Sequence, residues 1–203
     1  FDLTRCPKAA FLGQMQRPFF FGYGSLVNIH THTYGEVSHA QMTGWRRVWQ
    51  CTGDRPGPFL SVERCNGIEI DGLIAHVPKN DWTALDQREW AYDRIPATDT
   101  VSHALKTEID IAVYAVPEAR HTRPSHHYPI LLSYLDVVVQ GYLREFGNAG
   151  VDRFFDTTDG WDAPILNDRA EPRYPRHQAL KPQETELVDC KLQEHGARVI
   201  TRD

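Results

Sequence analysis

The chain carries one unusual stretch near its start, Phe19-Phe20-Phe21-Gly22-Tyr23-Gly24-Ser25-Leu26. Three successive aromatic residues favour a short buried strand, which we place at residues 18–21. The Gly-Tyr-Gly-Ser run that follows is typical of a tight turn, because glycine adopts conformations that other residues avoid and lets a ligand approach the backbone. Such a turn directs backbone N–H groups at a bound anion. We therefore predict that a small anionic substrate is bound by Gly22, Tyr23, Gly24, Ser25 and Leu26.

The candidate for a residue that acts on this substrate is Glu89. Asn80 or Asp81 is suited to cap a predicted helix over residues 82–90. Leu85 and Glu89 are four residues apart and share a face of that helix, so Glu89 is directed toward the interior or a cleft. Burial raises the pKa of a carboxyl group toward the range that is useful for proton transfer. A structural glutamate, paired with a neighbouring arginine, is the alternative interpretation.

The rest of the hydrophobic pattern predicts both strands and helices. Alternation over residues 107–116 is typical of a strand with one solvated face, and Asn66-Gly67 is a strong hairpin signal. Helical spacing over residues 125–146 predicts the longest helix, with Tyr128 near its start and Gly147 as its stop. Further predicted elements are strands at 41–49, 59–62 and 68–77, a turn at 52–58 and a last helix at 181–194.

Composition limits the classes of function. The chain has 203 residues, a net charge of −5, and 41% hydrophobic and 24% charged residues, which is typical of a globular protein with one sizeable core. We expect no nucleic-acid partner, because the sequence has no basic cluster. We expect no membrane span, because no apolar run approaches roughly 20 residues. A signal peptide is not evident either, and we predict a cytoplasmic protein.

Cysteine and histidine spacing gives little support for a metal or redox site. The four cysteines form no Cys-x-x-Cys pair, and reduced cysteines are expected in the cytosol, although a Cys51–Cys65 bridge is conceivable. His30-x-His32 suits a metal in principle, but no carboxylate or cysteine accompanies it at ligand spacing. We interpret these histidines as surface residues of a loop.

Three segments resemble, in their order and separation, those of the gamma-glutamylcyclotransferase-like superfamily. Gly22-Tyr23-Gly24-Ser25-Leu26 is similar to its Tyr-Gly-Ser signature. Leu85-Asp86-Gln87-Arg88-Glu89 looks like its Leu-Asp-x-x-Glu segment, and Ser125-His126-His127-Tyr128 resembles the segment with its substrate-contacting tyrosine. The resemblance implies an α+β fold, in which helices surround a small, mostly antiparallel, barrel-like sheet. The matching domain is placed at residues 18–150, with residues 151–203 as an arm packed on it.

The resemblance also implies an activity. In this superfamily the α-amine of a gamma-glutamyl group attacks its own side-chain carbonyl, which releases 5-oxoproline and a free amine, amino acid or peptide. Glu89 is implied as the catalytic acid/base and Tyr128 as a substrate-binding residue, and no metal or cofactor is required. The substrate stays open among gamma-glutamyl amino acids, glutathione and gamma-glutamylamines, and so does a homodimeric state.

Two other classes of function fit the same residues. A non-catalytic binding module on this fold keeps the glycine turn and binds an acidic metabolite or peptide, but a carboxylate beside a bound anion does not help it. A structural or interaction protein pairs Glu89 within its core and has no cavity at the turn. The position of Glu89 relative to the turn distinguishes these interpretations.

Overall fold

A computed structural model describes residues 17–52, 55–122, 124 and 128–201. In these parts of the chain, no helix is both long enough and apolar enough to cross a membrane. The helices are α1 (Thr83–Arg88), α2 (Leu132–Asp156) and α3 (Pro182–Glu194). The strands are β1 (Arg17–Gly22), β2 (Ser38–Thr52), β3 (Arg55–His76), β4 (Asp93–Pro96), β5 (Val101–His103), β6 (Ile109–Ala115), β7 (Ile130–Leu131), β8 (Thr158–Asp159), β9 (Ile165–Leu166) and β10 (Val199–Ile200).

The main sheet has the strand order β4-β6-β1-β3-β2-β5, and β8 also pairs with β2. β1 lies inside the sheet, parallel to β6 and antiparallel to β3. β2 and β3 form a long antiparallel pair, and β7, β9 and β10 form a small parallel sheet. The mostly antiparallel main sheet curls into a half-barrel accompanied by α1, α2 and α3, which confirms the predicted α+β fold.

The three aromatic side chains of β1 are all buried, which confirms the predicted first strand. Phe19 and Phe21 belong to the main hydrophobic core, whereas Phe20 packs in a smaller cluster with Leu26 and Leu85. This division follows from the alternation of side chains along a strand, so β1 is covered on both faces. Full burial of each phenylalanine contributes about 1.5–3 kcal/mol. The strand is therefore a firm anchor for the turn that follows it.

The hairpin predicted at Asn66-Gly67 is wrong. Both residues lie within β3, where its register with β2 shifts, and Gly67 has a φ of +80°. Glycine accommodates an irregularity inside a continuous strand pair here, and the chain does not reverse. The reversal lies between Thr52 and Arg55, which face each other across the β2–β3 pair, within the predicted turn. The predicted strands on either side are confirmed as parts of β2 and β3.

The longest helix, α2, begins at Leu132, which is later than predicted. Asp168 fixes this start, because its Oδ1 accepts a hydrogen bond from Ser133 N at 2.8 Å and its Oδ2 one from Ser133 Oγ at 2.6 Å. Gly147, the predicted stop, has a φ of +65° and breaks the helical geometry, but α2 resumes beyond it. Residues 125–127 of the predicted helix lie outside the described chain.

The C-terminal part of the chain packs against the same core. β8 pairs with β2, and the predicted last helix is confirmed as α3, with Val188 and Leu192 buried against the core. Arg169, between β9 and α3, forms an ion pair with Asp136 of α2 at 2.7 Å. The predicted division of the chain at residue 150 falls within α2 and stays a prediction.

Candidate active site

One cavity brings together the turn after β1 and the predicted carboxylate. We call residues 22–26 the glycine loop. The empty space in this cavity, its open mouth included, is about 310 Å³. The described residues that line the cavity are Phe21, Gly22, Tyr23, Gly24, Ser25, Leu26, Leu60, Glu89, Tyr92, Tyr114 and Tyr134.

The two glycines of the loop permit close packing. Gly24 has a φ of −120° and a ψ of −129°, a combination outside the helical and extended regions that other residues favour. A Cβ atom on Gly24 would lie 3.0 Å from the Tyr134 hydroxyl, and one on Gly22 would lie 2.7 Å from the Cβ of Leu26. The backbone conformation at Gly24 and the close approach of the Tyr134 hydroxyl are both reasons for glycine at this position.

The carbonyl groups of the loop are bound by groups that do not line the cavity. The carbonyls of Tyr23, Gly24 and Ser25 accept hydrogen bonds from Arg47 Nε at 3.2 Å, Val27 N at 3.0 Å and Thr31 Oγ1 at 2.8 Å, respectively. In a trans peptide the N–H of the following residue points away from the carbonyl. The N–H groups of Gly24, Ser25 and Leu26 are therefore directed away from these partners.

Arg47 lies beneath the loop and is a site residue that the sequence motifs do not indicate. Its side chain is fully buried, and its Nη2 donates to the Tyr142 hydroxyl at 2.6 Å. That hydroxyl lies 2.9 Å from the carbonyl oxygen of Tyr23, so both side chains hold the same peptide group. One signal was present in the sequence. Trp45, Arg47 and Trp49 are two residues apart along β2, so their side chains lie on the same face of the strand, and all three are buried.

Glu89 follows directly after α1, and its backbone N–H donates to the carbonyl of Leu85 at 2.9 Å. Leu85 is fully buried, as expected for the inward face of this helix. The Glu89 side chain is 13% exposed, and its Oε1 lies 3.1 Å from Arg88 Nε. The two interpretations of Glu89 are thus not exclusive, because the carboxylate both forms an ion pair with Arg88 and lines the cavity.

Arg88 connects Glu89 to the glycine loop. Its Nη2 donates to Ser25 Oγ at 3.1 Å, and its Nη1 donates to the carbonyl of Thr31 at 2.9 Å. The side chain is only 9% exposed. The planar guanidinium holds several acceptors in a fixed arrangement, which an ammonium group cannot do. Arg88 therefore fixes the carboxylate and the loop relative to each other.

Four tyrosines, Tyr23, Tyr92, Tyr114 and Tyr134, line the cavity. The Tyr23 hydroxyl donates to the carbonyl of Tyr114 at 2.6 Å, and the Tyr92 hydroxyl donates to the carbonyl of Leu60 at 2.8 Å. Burial raises the pKa of Tyr23 well above its ordinary value and also raises the pKa of Tyr114. These two hydroxyls therefore stay protonated at neutral pH and provide neutral polar groups in the wall.

Tyr128 does not line this cavity. Its side chain is 52% exposed, whereas Tyr134 of α2 is buried and lines the cavity beside Gly24. The Tyr134 ring packs edge-on against Trp49 and Tyr174, with centroid distances of 5.8 and 4.9 Å. The sequence placed Tyr128 at the start of the longest helix, but that helix begins after it and brings Tyr134 to the cavity.

His32 supports the loop through hydrogen bonds. Its Nε2 lies 3.1 Å from the carbonyl oxygen of Leu26, and its Nδ1 accepts from Tyr34 N at 3.2 Å. Nε2 therefore carries the proton of the neutral ring, and burial lowers the pKa of His32 to about 4. Within the described ranges, no cluster of His, Cys, Asp and Glu side chains is placed to hold a metal ion. Cys51 and Cys65 are both free.

The fold and the cavity together define a barrel-like α+β protein in which a glycine loop shares a cavity with a glutamate. Comparison with protein families refines this class. The model of the family "Gamma-glutamyl cyclotransferase, AIG2-like" matches residues 20–136, which is more than half of the chain. The chain belongs to this family, as the sequence motifs indicated.

Solved structures share the fold at low sequence identity. A gamma-glutamyl cyclotransferase is 13% identical with a TM-score of 0.54, over 86% of this chain and 99% of the other. An uncharacterized human protein is 14% identical with a TM-score of 0.55, over the same shares. YkqA from Bacillus subtilis is 15% identical with a TM-score of 0.53, over 68% of this chain and 52% of YkqA. The sequence gives no significant match among curated proteins.

Proposed function

We propose that the protein cyclises a gamma-glutamyl group and releases 5-oxoproline together with an amine, an amino acid or a peptide. The observation that carries this proposal is that Glu89 and the whole glycine loop line one cavity. Membership in the cyclotransferase family supports it. A carboxylate that shares a cavity with directed N–H groups supplies what the reaction needs, a base and a site for negative charge.

The substrate supplies its own nucleophile. Its α-amine attacks the side-chain carbonyl carbon and forms the new C–N bond of a five-membered lactam, while the bond from that carbon to the leaving nitrogen breaks. Holding the amine and the carbonyl in contact is a proximity effect, which contributes on the order of several kcal/mol to lowering the barrier. The cavity therefore has to hold the glutamyl group folded on itself.

Glu89 moves the protons of this reaction. The α-amine is protonated at neutral pH and becomes a nucleophile when Glu89 accepts one proton. Glu89 returns that proton to the leaving nitrogen and then accepts a second proton from the nitrogen of the new ring. The second proton also passes to the released amine, which leaves as an ammonium ion. General acid–base catalysis of this kind contributes about 10²–10⁴-fold.

The glycine loop binds the negative charges of the substrate. Its N–H groups hold the α-carboxylate, or the oxyanion that develops on the attacked carbonyl. We assign the substrate-contacting hydroxyl to Tyr134 and no longer to Tyr128, because Tyr134 lines the cavity and Tyr128 is half exposed. Phe21 and Leu60 supply apolar walls for the methylene groups of the glutamyl side chain.

The test is an assay of 5-oxoproline release from a panel of gamma-glutamyl amino acids, peptides and amines. Wild type is expected to turn over at least one of them, and Glu89→Gln is expected to lose about 10²-fold or more of that rate. Glu186→Gln, an exposed glutamate of α3, is the matched control and keeps the wild-type rate. Absence of turnover by wild type, or an undiminished Glu89→Gln rate, would refute the proposal.

One observation favours the binding module as a second candidate. The Arg88–Glu89 ion pair gives Glu89 a structural partner, so its presence at the cavity does not require proton transfer. A binding module takes up 5-oxoproline or a gamma-glutamyl compound and returns it unchanged. Calorimetric binding with no product after prolonged incubation would favour this candidate over the enzyme.

A further inference from the structure

We infer that Arg47 is the cation that makes the glycine loop selective for a carboxylate-bearing ligand, although Arg47 does not itself line the cavity. The inference rests on the proposed function and names a positioning residue for it. It explains how a cavity wall without a cationic side chain can hold an anionic ligand. Among the described residues that line the cavity, the only charged side chain is Glu89, which is an anion. The Arg88 guanidinium already pairs with this carboxylate, so a ligand with a carboxylate draws on a further positive charge from behind the wall.

Arg47 is placed to supply that charge. Its side chain has no exposed surface, and its guanidinium carbon lies 5.0 and 5.2 Å from the ring centroids of Tyr142 and Phe154. Its Nε donates to the carbonyl of Tyr23, the peptide group that joins Tyr23 to Gly24 in the loop. A charge in such surroundings is screened far less than one at the surface, so its field extends to the neighbouring cavity.

The hydrogen bonds of Arg47 do not neutralise it. Besides the carbonyl of Tyr23, the guanidinium donates to the carbonyl of Asp71 at 2.6 Å, the Tyr142 hydroxyl at 2.6 Å and Thr157 Oγ1 at 2.6 Å. All four acceptors are neutral groups. The carboxylate of Asp71 forms its own ion pair with Arg153 at 2.6 Å. Burying a charge costs stability, and binding of an anion at the loop offsets part of that cost.

Arg47 also acts on the ligand site through the peptide group that joins Tyr23 to Gly24. The Tyr23 carbonyl is fixed by Arg47 and lies 2.9 Å from the Tyr142 hydroxyl. A hydrogen bond to the carbonyl polarises the whole peptide group, so the N–H of Gly24 becomes a stronger donor. Arg47 thus orients and polarises one of the groups that contact the ligand, and its positive charge favours a negative ligand over a neutral one of the same shape.

The experiment compares two ligands that differ in one charge. Calorimetry measures the dissociation constants of 5-oxoproline and of 2-pyrrolidinone, the same lactam without the carboxylate, for wild type and for Arg47→Met. The ratio of the 2-pyrrolidinone constant to the 5-oxoproline constant is expected to fall at least about tenfold in Arg47→Met and to be largely kept in Arg47→Lys, since the lysine retains the charge. Arg46→Met is the matched control, because Arg46 is adjacent on β2 and pairs with Asp159; its ratio stays at the wild-type value.

The outcomes separate this inference from the proposed function. A folded Arg47→Met protein with an unchanged ratio overturns the inference, even if wild type releases 5-oxoproline. If Arg47→Met does not fold, Tyr142→Phe replaces it: it loosens the Tyr23 carbonyl and keeps the charge, so the ratio is expected to stay within about threefold. If the ratio instead falls about tenfold or more in Tyr142→Phe, the geometry of the loop and not the charge of Arg47 selects the carboxylate. Wild type that binds neither lactam and turns over no substrate contradicts the proposed function itself.

Discussion

Arg88 Nε lies 3.1 Å from Glu89 Oε1, so two residues adjacent in the chain form an ion pair at the edge of the cavity. The same guanidinium reaches Ser25 Oγ in the glycine loop. The separation of the proposed base from the proposed anion site is therefore set by one side chain. Changes in Arg88 are expected to alter catalysis without removing either group.

Arg88→Met is expected to lower kcat/KM by about 10–100-fold, because misplacing a catalytic group by about 1 Å costs up to 10²-fold. The acid limb of the plot of kcat/KM against pH is also expected to move to higher pH in Arg88→Met, since a nearby positive charge favours the ionised form of a carboxyl group and this variant removes that charge. Arg88→Lys keeps the positive charge but loses the planar guanidinium with its fixed donors. Its pH profile is therefore expected to be closer to that of wild type than its rate is. The measurement is kcat/KM against pH, with Arg120→Met as a control far along the chain. Equal profiles for wild type and Arg88→Met would contradict this role.

Gly24→Ala tests the close packing of the loop. The added methyl group would lie 3.0 Å from the Tyr134 hydroxyl, so that hydroxyl or the loop has to shift by a few tenths of an ångström. We expect kcat/KM to fall about tenfold or more. Gly35→Ala, where the added methyl group meets open space, is the matched control. A Gly24→Ala protein as active as this control would show that the close approach of Gly24 to Tyr134 is not needed for activity.

Tyr134→Phe and Tyr128→Phe separate the two candidate tyrosines. Removal of the Tyr134 hydroxyl is expected to lower kcat/KM by about 10–100-fold, as for loss of a hydrogen bond to a charged group. Tyr128→Phe is expected to stay within about twofold of wild type, because the side chain is half exposed and outside the cavity. Steady-state kinetics of both variants checks this. The reverse pattern would restore the assignment that the sequence suggested.

Features that depend on residues close together in the sequence were predictable, and features that depend on residues far apart were not. β1 and the inward face of α1 were predictable, because neighbouring residues such as Phe20 and Leu85 carry the signal locally. The start of α2 was not, because Asp168 caps it from 35 positions away. The Asn66-Gly67 hairpin was mispredicted because glycine with positive φ serves a strand irregularity as well as a turn.

The candidate site likewise contains residues that sequence motifs indicate and residues that only the folded structure brings together. The glycine loop and Glu89 belong to recognisable motifs, and the structure places both at one cavity. Arg47 and Tyr142 are 95 positions apart and meet beneath the loop only after the sheet and α2 have packed together. Tyr134 lies within the helical spacing that predicts the longest helix, and its position beside Gly24 became apparent only with the helix in place.

His32 predicts a pH dependence of stability. Burial lowers its pKa to about 4 from an ordinary value of 6.5, so between these values the unfolded chain binds more protons than the folded protein. Its contribution to stability is fully present above pH 6.5 and is lost as pH falls toward about 4. His32→Gln can still donate to the Leu26 carbonyl but does not titrate. Urea unfolding at pH values across this window is expected to show a shallower loss of stability in His32→Gln, and equal slopes would contradict this source of the effect.

The most direct test of the account is the fate of oxygen during turnover in oxygen-18-labelled water. Cyclisation adds no water, so mass spectrometry is expected to find unlabelled 5-oxoproline and the free amine in equal amounts, formed by wild type and lost in Glu89→Gln. Glutamate carrying oxygen-18 would show hydrolysis instead. That result, or 5-oxoproline formation that survives in Glu89→Gln, would contradict intramolecular cyclisation driven by Glu89 at the glycine loop.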